Sequence, residues 1–131
     1  MELHLKLIGL VLMLLAVVHA IFPTYFKWKE ELPTLSLVNQ QIMQVHTFFV
    51  ALMVFLMGLL CVHSTSELLY TSLGKTISIG FAIFWTCRLL IQFFGYSADL
   101  WKGKTFETII HVLFSSLWLY LSIIFWWNGL G

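Results

Sequence analysis

Four apolar runs of about twenty residues, separated by short polar connections, constrain this chain more than any other feature. They cover residues 5–26, 42–62, 76–96 and 106–127. Each matches the ~20 residues a helix needs to cross the ~30 Å hydrocarbon core of a bilayer. None alternates with period two, which argues against a membrane barrel. The first run ends near VHA at 18–20, a small-residue pattern like that of a signal-peptide cleavage site. Because the run is retained behind Met1, it is expected as a helix.

Composition agrees. The 131 residues are 60% hydrophobic and 10% charged, against about 45–50% and about 25% for soluble domains. A net charge of +1 gives no reason to expect a nucleic-acid partner. Cys61 and Cys87 lie inside apolar runs and are expected as buried small hydrophobes, not as a disulfide pair. No nucleotide loop, nucleophile elbow or HExxH motif is present, so phosphoryl transfer and serine hydrolysis have no support.

The expected fold is an all-α integral membrane protein, an antiparallel up-and-down bundle of four transmembrane helices forming a single domain over residues 1–131. Of the connections, 27–41 is the longest, and Pro33 with Thr34 or Ser36 is expected to open a short interfacial helix. Residues 63–75 are expected to hold a short amphipathic turn. Lys27, Lys29, Lys102 and Lys104 flank one side, and Lys6 and Lys75 the other. The positive-inside rule then puts the first side, called upper here, in the cytoplasm. The expected setting is the plasma (inner) membrane. Tyr25, Trp28, Tyr96 and Trp101 fall at the upper aromatic belt, and Tyr70, Trp126 and Trp127 at the lower. Phe48, Phe49, Phe93 and Phe94 are read as interior filling. Met43, Met53 and Met57 are read as lipid or core packing. Gly58 and Gly80 are candidates for close helix approach. Pro23 is expected to kink the first helix just above His19.

Depth along each helix then gathers the polar residues. At ~1.5 Å per residue, His19 lies about 6 Å above the middle of its run, His46 about 12 Å, His111 about 7 Å and Arg88 about 3 Å. Glu107 is one turn above His111, Gln92 one turn above Arg88, and Gln44 tops the second run. An isolated charge at bilayer depth costs ~2.5–3.5 kcal/mol. Arg88 is therefore expected to pair with Glu107, Asp99 lying higher. Ser115 extends the Glu107–His111 stripe by a turn.

Three histidines on three helices suggest a transition-metal site, zinc, iron or copper, held by His19, His46 and His111. Glu107, Arg88, Gln92 and Gln44 would orient the rings or a substrate. Redox or hydrolytic activity follows if the metal keeps an open position. Haem b is the alternative, with His19 facing His46 or His111 and Arg88 on a propionate. His4 and His63, at helix ends, read as interfacial. A third reading is a transporter or channel subunit whose His, Arg and Glu residues line a path, and a fourth an accessory subunit. Expected partners are the lipid bilayer, a quinone or lipid-like ligand, and further copies of the chain or a larger membrane complex.

Overall fold

A computed structural model describes residues 1–96, 100 and 103–131. Asp99, Trp101 and Lys102, which enter the expectations above, lie outside the described residues. All regular structure among the described residues is helical. Four stretches are long and apolar enough to cross a membrane: Glu2–Tyr25, Leu37–His63, Ser72–Phe94 and Thr105–Leu130. The all-α expectation holds, and the architecture is that of a multi-pass membrane protein. The chain divides into two compact units, residues 3–65 and residues 66–131 with Met1–Glu2.

In the first unit, α1 (Glu2–Val18) buries Leu5, Ile8, Leu12, Leu15 and Ala16 at helical spacing. Pro23 interrupts its regular ladder just above His19, the place where a kink is expected. A proline has no N–H to give the carbonyl four residues back, so His19 O accepts from Phe22 instead, and His19–Ile21 tightens into a 3₁₀ turn. Two short helices follow, α2 (Phe22–Tyr25) and α3 (Trp28–Glu31). Lys27 links them with φ +55°, a left-handed conformation uncommon outside glycine, asparagine and aspartate. The interfacial helix thus precedes Pro33, which instead lies in a 3₁₀ turn, Leu32–Thr34. Ser36 caps α4 (Leu37–His63), its hydroxyl accepting from Asn39 N at 3.3 Å. That cap starts the helix five residues before the apolar run.

Helices α1 and α4 cross at glycines. A Cβ placed on Gly58 would lie 2.6 Å from Gly9 O, and one on Gly9 would lie 2.6 Å from Gly58 O. Gly58 therefore plays the expected role, with Gly9 as its partner. Gly80 does not, since nothing lies within 4 Å of a Cβ there. Gly9 faces Val62 while Gly58 faces Leu12 and Met13, so residue numbers rise on one helix as they fall on the other. The two helices are antiparallel.

In the second unit, α5 (Thr65–Tyr70) is the expected short element of the second connection. Thr71 then caps α6 (Ser72–Phe94), its hydroxyl accepting from Gly74 N at 2.9 Å. The fourth long helix, α7 (Thr105–Leu130), packs against α6. Cross-helix pairs set the register. Gln92 meets His111, Trp85 stacks on Trp118, Phe81 meets Phe125 and Ser78 meets Asn128. These numbers sum to nearly the same value, so this pair is antiparallel as well. Asn128, 2% exposed, ties the lower end, donating through Nδ2 to Leu68 O at 2.9 Å and Ser78 Oγ at 2.7 Å.

Three expectations about packing are corrected. Phe48, Phe49, Phe93 and Phe94 are exposed, not interior; in lipid the outside of a helix is as apolar as its inside. Cys61 is buried as expected, but Cys87 is exposed, and both thiols are free. Trp126 turns inward from its belt position and donates to Thr86 Oγ1 at 2.9 Å.

A donor-rich polar cluster between α6 and α7

Arg88 and Gln92 share one face of α6, a turn apart, and His111 stands across from Gln92 on α7. Arg88 Nη1 donates to Gln92 Oε1 at 3.2 Å. That contact fixes the amide, so Gln92 Nε2 faces His111 Nδ1 at 2.9 Å and donates to it. A neutral His111 with Nδ1 as acceptor carries its proton on Nε2. Gln92 is 8% exposed, while Arg88 and His111 are half-buried. Arg88 stands six residues inside the end of α6 and His111 six residues inside the start of α7. Each is therefore about 9 Å from its helix end.

The cluster continues downward as aromatics. The Trp85 and Trp118 rings stack at 5.0 Å and 14°, and Phe114 stacks on Trp118 at 5.6 Å. The Arg88 guanidinium lies 5.2 Å over Trp118 and 5.5 Å from the Tyr96 ring. Trp85 Nε1, Trp118 Nε1 and Ser115 Oγ are buried with no hydrogen-bond partner.

The expected pair between Arg88 and Glu107 is not among the contacts of the described residues. Register explains this. Since Gln92 is level with His111, Arg88 is level with Ser115, two turns or about 12 Å below Glu107. Glu107 instead occupies the first turn of α7, where the helix dipole favours a carboxylate. Ser115 makes no bond across to α6.

The other two histidines of the expected site are satisfied locally. His19 Nδ1 lies 2.8 Å from Leu15 O and His46 Nδ1 2.9 Å from Ile42 O, each one turn back on its own helix. Within that unit the α1–α4 register puts residue 19 level with about residue 51. His46 is thus about 8 Å further along the axis. Gln44 lies on α4 beside a cleft that Lys29 and Trp28 also line. Among the described residues, no group of three or more His, Cys, Asp or Glu side chains is gathered as a metal site. Of the residues singled out from sequence, Arg88, Gln92 and His111 come together.

Trp85 and Trp118 escaped the sequence reading. Their signal was positional: Trp85 precedes Arg88 by three residues and Trp118 follows His111 by seven, so each continues a polar stripe. Comparison with protein-family models, curated proteins and solved structures finds no match.

Proposed function

We propose that this membrane protein binds the acceptor-bearing head of a lipid-soluble molecule, a quinone-type carbonyl or a carboxylate, at Arg88, Gln92 and His111. The observation that supports this most is the surplus of donors there. A guanidinium carries five N–H groups, of which one meets Gln92. Two indole N–H groups and a serine hydroxyl stand buried and unpartnered one or two turns below. Two of the cluster's acceptors, Gln92 Oε1 and His111 Nδ1, are already used.

The magnitudes point the same way. Each buried donor left unpaired costs about 1–3 kcal/mol. Cation–π contacts to Trp118 and Tyr96 return about 0.5–2 kcal/mol each, which offsets the burial of Arg88 and leaves the indole donors unserved. An acceptor group entering from lipid would serve the guanidinium. Its oxygen would meet the guanidinium, and its ring or chain would lie against the stacked indoles. The expected setting is the plasma (inner) membrane.

The test is a titration of detergent-solubilised protein with a short-chain benzoquinone and with a medium-chain fatty acid, read by tryptophan fluorescence. One of the two should give a saturable change. Arg88→Gln should weaken it at least about tenfold, as expected for loss of a charge-assisted bond. Absence of saturation with both, or equal affinity in the variant, overturns the reading. Stoichiometric metal that disappears in His111→Ala would replace it with the three-histidine site, and an accompanying Soret band would make that site haem.

A further inference from the structure

The first unit carries a cleft where one spanning stretch ends and the next begins. The first stretch ends at Tyr25 and the second starts at Leu37. The cleft has a volume of about 380 Å³ and is lined by Pro23, Trp28, Lys29, Leu32, Pro33, Gln40 and Gln44. We infer that it binds the phosphate of an anionic phospholipid headgroup.

Four features carry this. The level is that of the headgroups, since the cleft sits between the ends of two spans and includes a tryptophan, the residue enriched at that depth. The wall is stiff: Pro23 and Pro33 each fix a first-turn φ. The floor is apolar, with Leu32 7% exposed. The polar groups, finally, suit an anion.

Lys29 has no carboxylate partner among the described residues, and neither Glu30 nor Glu31 of the same helix lines the cleft. Gln40 Nε2 is committed to Leu35 O at 2.9 Å, which braces that amide. Gln44, one turn on, presents a further amide. An ammonium and an amide over an apolar floor match a phosphate with its glycerol and first acyl carbons. Lysine binds phosphate as a point charge. Bilayers supply that group at this depth, and anionic lipids concentrate in the cytoplasmic leaflet.

The experiment is native mass spectrometry of the full chain released from nanodiscs of equal phosphatidylglycerol and phosphatidylcholine. Wild type should retain phosphatidylglycerol in preference to phosphatidylcholine. Lys29→Gln should lower that retention by about fivefold, the effect of one lysine near an anionic surface. Lys29→Arg should restore it. Lys27→Gln, two residues before Lys29 and outside the cleft, is the control for diffuse charge and should leave retention unchanged. Circular dichroism on each variant checks that the helices persist.

Millimolar inorganic phosphate added to the detergent-solubilised protein separates the two sources of the anion. Failure to displace the lipid assigns the site to the headgroup. Displacement assigns it to phosphate as such, with the same residues. Equal loss in Lys27→Gln and Lys29→Gln, or no preference in wild type, overturns the proposal.

Discussion

The helix pair α1–α4 and the helix pair α6–α7 are both antiparallel, and each is tight at a glycine, Gly129 meeting Ile79 in the second, yet their polar side chains bond differently. Between α1 and α4 the backbones themselves meet at Gly9 and Gly58, and three polar side chains turn back on their own helical segments. His19 reaches Leu15 O, His46 reaches Ile42 O and Thr47 reaches Met43 O. Between α6 and α7 the polar side chains cross: Gln92 to His111, Trp126 to Thr86, Asn128 to Ser78. A polar residue at membrane depth is therefore not by itself a mark of function. One that spends its bond on its own backbone needs no partner, whereas one that bonds across helices fixes a register and leaves its neighbours to be satisfied by something else.

The sharpest way to break this comparison is to give the glycine crossing a side chain. Gly58→Leu should abolish folding of the α1–α4 pair, because even the first carbon falls 2.6 Å from Gly9 O and 3.0 Å from Leu12 Cβ. Gly58→Ala should cost about 1–3 kcal/mol, in the range of overpacked cores. Gly80→Ala, on the open side of α6, should instead be neutral or stabilise by up to about 1 kcal/mol through helix propensity. Thermal unfolding in detergent reads all three. Equal effects at Gly58 and Gly80 would mean that the α1–α4 crossing does not depend on the missing side chain of Gly58.

Next in size is Asn128. Asn128→Leu leaves Leu68 O without its donor and Ser78 Oγ without its buried partner, a loss of about 1–3 kcal/mol. The matched change in the first unit is His19→Leu, which removes only a bond to the same helix and should stay within about 0.5 kcal/mol. If His19→Leu proved the more damaging, His19 would have a partner beyond Leu15 O.

The same contrast explains what could be read from the sequence. The four spans were legible because an apolar run of spanning length has few other fates. Their starts were not, since Ser36 and Thr71 extend α4 and α6 into polar sequence by capping. The level of the candidate site was legible, because antiparallel helices bring Gln92 and His111 to one depth. Its pairing was not. Choosing Glu107 for Arg88 matched charge with charge but ignored the two turns between their levels, which register decides. Likewise, depth grouped His19 and His46 with His111 but carried no helical phase. Phase is what turned the first two rings onto their own carbonyls.

The smallest expected effect discriminates most finely. His111→Ala removes one cross-helix bond, and such bonds between membrane helices average about 0.6 kcal/mol. His46→Ala removes a bond to Ile42 O on an exposed face and should not shift the unfolding midpoint measurably. The stability difference is thus close to the resolution of the assay, but the consequences for binding are not. Without His111, Gln92 Nε2 loses its acceptor and the amide is free to turn, so Arg88 loses the Oε1 that positions it. Quinone or fatty-acid affinity should then fall in His111→Ala while holding in His46→Ala. His111→Asn, whose side-chain oxygen can still accept from Gln92, should recover part of it. Equal affinity in the two alanine variants would detach ligand binding from the α6–α7 cluster. It would leave that cluster as packing, of the same kind as the locally satisfied histidines of the other pair.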